Sequence, residues 1–370
     1  MSLLRALFGL GFFLACAGVA TADFDAWDKN KDGKLTRNEL PEQARPNFDR
    51  ADKNKDGFLS REEDAAFRAR PLEGETKLGA NVALTAGIAY LDNDNPRQTL
   101  DLLLPKKRVV KALPLIVFIH GGAWRAGNKV SGRRRVAAYV NSGRYAGVTV
   151  GYRLSAEAKW PAQMQDCQAA IRWIRENAEK HGLNPDRIGV WGTSAGGHLV
   201  SMLAVAGDYV APISRKDLAF SDDNAASTVT CAVNFFGPSE LLRMNDFPSK
   251  MDHDAADSPE SQLIGEAIQQ DKGRARFASP IFYVTKGDIP ILHAHGDEDA
   301  LVPYDQSRSF HEELRLYGVE STLLTMRGGG HGFQHPKLDE LVSRFFEQHL
   351  HGVEGETIQS QAIELEESNE

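Results

Sequence analysis

The chain has 370 residues, of which 42% are hydrophobic and 25% are charged, and its formal net charge is -8. This length predicts two domains, or one large domain with a smaller unit attached. The apolar fraction excludes wholesale disorder and collagen-like sequence. The acidic balance disfavours a nucleic-acid binder, which would need a basic face to contact phosphates. We expect the one compact basic run, at positions 133–135, to be a solvated surface turn.

The N-terminus carries a strongly apolar stretch, residues 6–20, which follows Arg5. This stretch is too short to span a membrane comfortably, and Ala20-Thr21-Ala22 fits a small-residue cleavage site. We therefore expect residues 1–22 to be a signal peptide, giving a secreted or periplasmic product with no transmembrane span after cleavage. Processing as a lipoprotein at Cys16 stays open but is less favoured, because Phe13 is a poor residue three places before the cysteine.

A repeat follows the proposed cleavage site. Residues 28–39 and 52–63 each fit a twelve-residue calcium loop. Such a loop has oxygen side chains at positions 1, 3 and 5, glycine at 6, a backbone carbonyl at 7 and a bidentate glutamate at 12. The predicted calcium ligands are Asp28, Asn30, Asp32, Lys34 and Glu39 in the first loop, and Asp52, Asn54, Asp56, Phe58 and Glu63 in the second.

These two loops resemble the EF-hand family, and their spacing of 24 residues is similar to that of dockerin modules. The resemblance implies a small all-α EF-hand pair over residues 23–70. One helix, residues 37–51, interrupted near Pro41 and Pro46, should join the loops. Lysines at positions 2 and 4 of both loops should weaken binding to a Kd on the order of 10⁻⁴ to 10⁻³ M, which favours structural calcium over a sensor. A protein partner for this unit stays open.

After a polar linker at residues 71–80, strand and helix patterns alternate through residues 81–352. The predicted strands are residues 82–90, 99–104, 115–119, 187–191, 229–236, 289–294 and 321–326. The predicted helices are residues 162–181, 198–205, 304–317 and 337–350. This alternation predicts an α/β fold with a mainly parallel sheet and helices on both faces.

Four segments stand at the ends of predicted strands, where such a sheet carries its chemistry. Residues 192–196 read Gly-Thr-Ser-Ala-Gly, and their glycines allow a tight strand-to-helix turn that exposes Ser194. Residues 120–124 read His-Gly-Gly-Ala-Trp, whose backbone N–H groups could stabilise an oxyanion. Asp299 and His331 follow two later strands, so the chain order is serine, acid, histidine.

Together these motifs resemble the α/β-hydrolases of the esterase/lipase group, over about residues 75–352. They are especially similar to the bacterial feruloyl-esterase-like and kynurenine-formamidase-like branch. The resemblance implies that Ser194 is the nucleophile of a serine esterase, His331 its general base and Asp299 the acid that orients the histidine. Asp299 is preferred to Asp297 because the family's acid lies three residues before a Val-Pro pair.

The resemblance also implies an oxyanion hole made by the N–H groups of Gly122, Ala123 and Ala195. Ala123 stands where hormone-sensitive-lipase relatives carry a third glycine, but its N–H still donates. We expect His120 to brace its loop by hydrogen bonding, His198 to pack beneath the turn that carries Ser194, and Trp124 to line either the acyl pocket or the core.

The expected function is a secreted carboxylic-ester hydrolase that needs no cofactor for catalysis. Its substrates would be short acyl or aryl esters, acetyl or hydroxycinnamoyl, carried on polysaccharide. The polar segment 238–276 should overhang the site, and its lack of long apolar runs favours short esters over triglycerides. Two alternatives stay open: an arylformamidase-type amide hydrolase with the same triad, and a calcium-dependent binding or scaffolding protein with an inactive hydrolase domain.

The C-terminal segment, residues 353–370, contains six glutamates and no basic residue. We expect this acidic tail to be disordered. It holds most of the net charge, so the hydrolase region itself is close to neutral and gives no indication of an ionic substrate.

Overall fold

The computed structural model describes residues 24, 27–40, 48–69, 78–206 and 228–365. The chain divides into two compact units, residues 1–76 and 77–370. This division lies inside the range 71–80 that the sequence predicts as a linker. The predicted signal peptide lies outside the described residues. No helix within the described ranges is long and apolar enough to cross a membrane.

The smaller unit holds two short strands that bring the predicted loops together. In chain order its elements are β1 (Lys34–Leu35), α1 (Phe48–Ala51), β2 (Leu59–Ser60) and α2 (Arg61–Ala69). The strands are antiparallel, with Leu35 opposite Leu59. These leucines are the eighth residues of the two loops, and both are buried in one small cluster with Phe24 and Phe48. The strand pairing therefore fixes the loops side by side.

The prediction of one helix over residues 37–51 is wrong at its start. Residues 37–40 form a turn, residues 41–47 lie outside the described residues, and helix α1 is Phe48–Ala51. A proline disfavours helical backbone at the residue before it, so Pro41 opposes helix at Leu40. Leu40 is instead buried in the small cluster.

The larger unit is built on one sheet, which has nine strands within the described residues. The strands are β3 (Val82–Ala89), β4 (Thr99–Pro105), β5 (Leu113–Ile119), β6 (Ala146–Val150), β7 (Leu183–Thr193), β8 (Cys231–Phe235), β9 (Ile291–Gly296), β10 (Ser321–Arg327) and β11 (Gln361–Glu364). Their order across the sheet is β11-β10-β9-β8-β7-β5-β6-β4-β3. Neighbours are parallel except where β4 pairs with β3 and with β6. The loops that follow β5, β7, β9 and β10 therefore leave the same edge.

Helices cover both faces of this sheet. They are α3 (Arg133–Val140), α4 (Ala162–Glu176), α5 (Ala178–His181), α6 (Ala195–Ala206), α7 (Pro259–Ile264), α8 (Lys272–Phe277), α9 (Asp305–Leu316) and α10 (Pro336–His351). Along β5, Val117 and Ile119 belong to a buried cluster that includes residues of α4, α6 and α9. Ile116 and Phe118 belong to a second cluster, with residues of α3 and α10. Burial on both faces explains why β5 is continuously apolar.

The sequence predictions omit strand β6 and helix α3, and the interpretation of the basic run as a surface turn is wrong. Arg133 begins α3, and its Nε donates to the buried carboxylate of Asp101 at 2.8 Å. The guanidinium of Arg135 lies 5.5 Å from the centroid of the Trp191 ring. Arginine can cover apolar surface with its long stem, and charge pattern alone does not reveal that placement.

The expectation of a disordered tail is wrong for residues 353–365. Strand β11 pairs in parallel with β10, and Ile363 lies opposite Met326. Ile358 and Ile363 are buried in the second cluster. Each buried isoleucine contributes about 1.5–3 kcal/mol, and the strand adds backbone hydrogen bonds at the edge of the sheet. The glutamates dominate the composition, but these two side chains order the segment.

Candidate active site

Ser194 lies at the sharp turn between strand β7 and helix α6. Its φ is +54°, a backbone conformation that residues with a Cβ rarely adopt. A Cβ on Gly192 would overlap the carbonyl oxygen of Gly196, and a Cβ on Gly196 would overlap that of Ile119. The two glycines thus permit the close approach of strand and helix that this turn requires. The turn holds Ser194 beyond the carboxyl end of β7.

His331, in the loop after β10, connects Ser194 to a carboxylate. Its Nε2 lies 2.9 Å from Ser194 Oγ, and its Nδ1 lies 2.7 Å from Asp299 Oδ2. An ionised carboxylate can only accept, so Nδ1 carries the hydrogen of this bond. That tautomer leaves Nε2 with a lone pair facing the serine hydroxyl. The structure therefore brings together the three residues predicted as a triad.

Asp299, in the loop after β9, is held on both of its oxygens. Oδ1 accepts from the N–H groups of Leu301 at 2.8 Å and Val302 at 3.0 Å. Oδ2 faces His331 and also lies 3.2 Å from His295 Nε2. Burial alone would raise the pKa of Asp299, but the hydrogen bonds from His295 and His331 outweigh burial and hold it well below its usual range. These hydrogen bonds therefore favour the ionised carboxylate.

Asp297, the other acid of this loop, has different partners. Its Oδ1 accepts from the N–H of Gly328 and its Oδ2 from Nη1 of Arg327, each at 2.8 Å. These bonds tie the end of β9 to the loop that carries His331. Asp297 thus braces the loop and does not contact His331.

The predicted oxyanion residues lie on both sides of Ser194. A Cβ on Gly121 would lie 3.2 Å from Ser194 Cβ, so the loop after β5 packs directly against the serine. Gly122 and Ala123 have φ of +117° and +54°, which turns the loop sharply at this point. Ala195 is the first residue of α6, where N–H groups have no acceptor within the helix. Among the described residues, no protein acceptor is found for the N–H of Gly122, Ala123 or Ala195.

The buried histidines near the site make structural contacts. His198 Nε2 lies 2.6 Å from the Ala278 carbonyl oxygen, and its Nδ1 accepts from the Trp124 indole N–H at 3.3 Å. His120 Nδ1 lies 2.7 Å from the Gly121 carbonyl oxygen. Burial lowers the pKa of both His120 and His198 to about 4, so both rings are neutral at ordinary pH. Trp124 is 2% exposed and lies in the core rather than in an open pocket.

Phe236, directly after β8, is a residue of the site that sequence reasoning missed. Its ring centroid lies 4.6 Å from that of His331. Its φ is +43°, which for a bulky side chain costs about 1–3 kcal/mol and needs support from the surroundings. The Phe236 N–H donates to the Ala294 carbonyl oxygen at 2.9 Å. The only available signal was its position at the end of a predicted strand. The ring packs against the imidazole of His331.

The polar segment 238–276 contacts the loop after β9 and the loop after β5. The Lys250 N–H donates to the Ala300 carbonyl oxygen at 2.8 Å, next to Asp299. Arg125 Nη1, in the loop after β5, donates to the Asp257 carbonyl oxygen at 3.3 Å. The segment is less irregular than the sequence suggests, because it contains a 3-10 helix at Leu241–Asp246 together with α7 and α8. It bridges the two sides of the site.

The side chains of the two predicted calcium loops fold back on their own backbones. Asp28 Oδ1 and Oδ2 accept from the N–H groups of Asp32 at 3.2 Å and Gly33 at 2.9 Å. Asp52 repeats both bonds in the second loop, with distances of 3.2 and 3.0 Å. Within the described ranges, no group of three or more His, Cys, Asp or Glu side chains converges as around a bound ion. The loops have the expected turns, and their carboxylates accept from backbone amides.

The glutamates at position 12 are engaged in the same way. Glu39 accepts from the backbone N–H and the hydroxyl of Thr36, each at 2.8 Å, and these bonds hold its pKa below the usual value. Glu63 accepts from Ser60 N–H at 3.1 Å, while Ser60 Oγ accepts from the Glu63 N–H at 3.1 Å. These two reciprocal bonds between Ser60 and Glu63 form a capping box at the start of α2. These hydrogen bonds favour the ionised form of both carboxylates at the loop ends.

Models of known protein families match parts of both units. The family model named BD-FAE matches residues 100–314. The chain belongs to the BD-FAE family. A second family model, described as EF hand, matches residues 21–41 and 48–63. The larger unit has the α/β-hydrolase fold that the sequence motifs predict.

The curated relatives of this chain include proteins that carry the name esterase. Esterase LipC of Mycobacterium tuberculosis is 31% identical over 257 residues, which cover 66% of this chain and 59% of LipC. Esterase LipQ of the same organism is 30% identical over 213 residues, covering 56% of this chain and 47% of LipQ. The chain thus spans about half the length of these relatives.

Two solved structures above 30% identity share the fold. A truncated form of carbohydrate esterase from gut microbiota is 31% identical, with a TM-score of 0.65, covering 73% of this chain and 96% of that one. A bifunctional GH43-CE protein of Bacteroides eggerthii is 32% identical, with a TM-score of 0.64, covering 72% of this chain and 38% of that one.

Proposed function

We propose that this protein is a serine carboxylic-ester hydrolase. The single observation that carries the proposal is the continuous chain of contacts from Ser194 Oγ through the His331 ring to Asp299 Oδ2, at 2.9 and 2.7 Å. The N–H groups of the neighbouring loop and of the first turn of α6 supply the other half of an acyl-transfer site. Both parts lie at the carboxyl edge of the sheet.

The chemistry follows from these positions. Ser194 Oγ attacks the ester carbonyl carbon while His331 Nε2 takes the hydroxyl proton. The carbonyl oxygen becomes an oxyanion that accepts from the free N–H groups, each worth roughly 3–4 kcal/mol in the transition state. His331 then protonates the leaving alcohol. Water, deprotonated by the same nitrogen, attacks the acyl-enzyme, releases the carboxylic acid and restores Ser194.

The proposed substrates are short acyl or aryl esters, acetyl or hydroxycinnamoyl, on polysaccharide. Support comes from the similarity to the solved carbohydrate esterase from gut microbiota, 96% of which aligns with this chain. The polar character of segment 238–276 gives further support. The apolar stretch at residues 6–20 supports export to a compartment where polysaccharide esters are encountered.

A substrate panel tests this proposal with the full chain. We expect turnover of 4-nitrophenyl acetate to exceed that of the decanoate by more than about tenfold, together with release of acetate from acetylated xylan or ferulate from methyl ferulate. A fluorophosphonate probe should add to Ser194, as read by mass spectrometry. Preferential turnover of N-formylkynurenine would assign an amide hydrolase instead. The absence of both probe labelling and ester turnover would assign an inactive hydrolase domain.

We also propose that the two loops bind calcium with a structural role. Each offers three carboxylates, an amide oxygen and a backbone carbonyl, a hard oxygen set that suits calcium. The pairing of Leu35 with Leu59, at position 8 of each loop, already holds the two loops side by side. Bound calcium would supply positive charge to carboxylates that accept from uncharged backbone and side-chain groups of the loops.

Substituting Glu63 tests the calcium proposal. E63Q keeps the capping box, because glutamine can accept from Ser60 N–H, but it removes the charged bidentate ligand. We expect calorimetric calcium binding in the 10⁻⁴ to 10⁻³ M range, with the second loop weakened at least tenfold in E63Q. The control is E62Q, which changes the charge equally at the exposed neighbouring position and should bind as the native chain does.

Chelation should act on stability and not on turnover. We expect EDTA to speed amide hydrogen exchange in residues 48–69 while kcat changes less than twofold. A large loss of kcat with exchange in the larger unit unchanged would show that calcium takes part in catalysis.

A further inference from the structure

His295, on strand β9, lies behind the acid of the triad. The ring is fully buried, and Nε2 lies 3.2 Å from Asp299 Oδ2, the oxygen that also receives the His331 Nδ1–H. Nε2 lies 2.9 Å from the Val302 carbonyl oxygen as well. A carbonyl can only accept, so Nε2 carries a hydrogen, which is shared between Val302 and Asp299. Asp299 Oδ2 therefore stands between two histidine N–H groups.

The other ring nitrogen fixes the orientation of His295. Nδ1 lies 2.8 Å from the hydroxyl of Ser307, in the first turn of α9. Ser307 is itself fully buried. One nitrogen is thus held by the helix and the other by the acid loop. The structure thus builds a second, rigid partner for the triad carboxylate.

We infer that His295 is a positioning residue, which holds Asp299 Oδ2 against His331 and takes up part of the carboxylate's negative charge. This inference rests on the proposed function of the triad. Its consequence is electrostatic as well as geometric. A carboxylate oxygen that accepts two N–H bonds offers less charge to each, so His295 sets how strongly Asp299 favours the imidazolium form of His331.

The other groups that face His295 are few. Its own strand carries the buried His293, two residues earlier, and β8 leads to Phe236, whose ring centroid lies 6.3 Å away. The Tyr304 ring, before α9, lies 5.8 Å away, and its hydroxyl is bonded to Thr325 of β10 at 2.6 Å. Among the described residues, Asp299 is the ionised group in direct contact with His295.

Two substitutions of His295 separate the Nε2 contact from general packing. In H295N, an amide reaches the Ser307 side but is too short to reach Asp299. In H295Q, an amide N–H can occupy the place of Nε2. We expect H295N to lower kcat for 4-nitrophenyl acetate about 5- to 20-fold with little change in KM. H295Q should retain kcat within about threefold.

The pH profile is the decisive readout. Loss of the second N–H leaves more negative charge facing His331 and favours its protonated, inactive form. The acid limb of kcat/KM in H295N should therefore move about 0.5 pH unit to higher pH, while that of H295Q stays with the native limb. A merely structural role would reduce the active fraction without moving the limb. If H295N does not fold, S307A takes its place, with the same direction and a smaller shift.

Results against the inference are equally clear. A native acid limb in H295N, or an equal shift in H295Q, would overturn the role of His295 while leaving the esterase proposal intact. Failure of the native chain to hydrolyse esters or to react with a fluorophosphonate would overturn the esterase proposal itself. The two failures are thus distinguishable in one set of assays.

Discussion

Replacing Ser194 with alanine will lower kcat on 4-nitrophenyl acetate by a factor on the order of 10⁴ to 10⁶, because the substitution removes the hydroxyl oxygen that would form the acyl-enzyme. KM should change little, since alanine leaves the walls of the site in place. The φ of +54° at this position is kept by the neighbouring glycines, and alanine is no worse there than serine. The fold should therefore survive the change.

The matched control is S201A, in the same helix α6. Ser201 is fully buried, and its hydroxyl has no hydrogen-bond partner within the described part of the chain. Its removal should leave kcat within about twofold of the native value. Retention of more than about one per cent of native kcat in S194A, with S201A fully active, would contradict the serine mechanism. Fluorophosphonate labelling, lost in S194A and kept in S201A, gives an independent measurement.

The proximity of Ser194, Asp299 and His331 could be predicted because each of these residues lies in a local sequence motif at the end of a predicted strand. Ser194 lies in a glycine-flanked turn after an apolar strand, and His331 follows the last predicted strand of the parallel set. Asp299 could be chosen over Asp297 on the position of the Val-Pro pair. Parallel strands end at one edge, so separate local motifs become neighbours without any further information. The fold class followed from the same alternation of strands and helices.

The supporting residues could not be predicted because their roles depend on tertiary contacts. His295 acquires its role only when β9 and α9 bring it against Asp299 and Ser307. Phe236 meets His331 through a strained backbone that no local pattern announces. Strand β11 was not predicted, because the segment has an acidic composition. The burial of two isoleucines nevertheless stabilises this segment, while its glutamates stay in water. In each case the missing information was which surface the residue faces.

Replacing Asp299 with asparagine will lower kcat by about 10³- to 10⁴-fold while the fold is preserved. Asparagine has the same shape, and its Oδ1 can still accept from the N–H groups of Leu301 and Val302. With that oxygen fixed, the amide nitrogen takes the place of Oδ2 and points its hydrogens at His331 Nδ1. Nδ1 must then accept, so the hydrogen moves to Nε2, and the ring can no longer take the proton of Ser194.

D297N is the control for this prediction, because it makes the same chemical change two residues away. Asp297 contacts Arg327 and Gly328 but not His331, and Arg327 is an exposed side chain. We expect D297N to keep kcat within about threefold, measured on the same aryl acetate. Equal losses in D297N and D299N would mean that the charge of the loop, and not the tautomer of His331, governs the rate. A loss confined to D299N requires the carboxylate to act through the histidine that it touches.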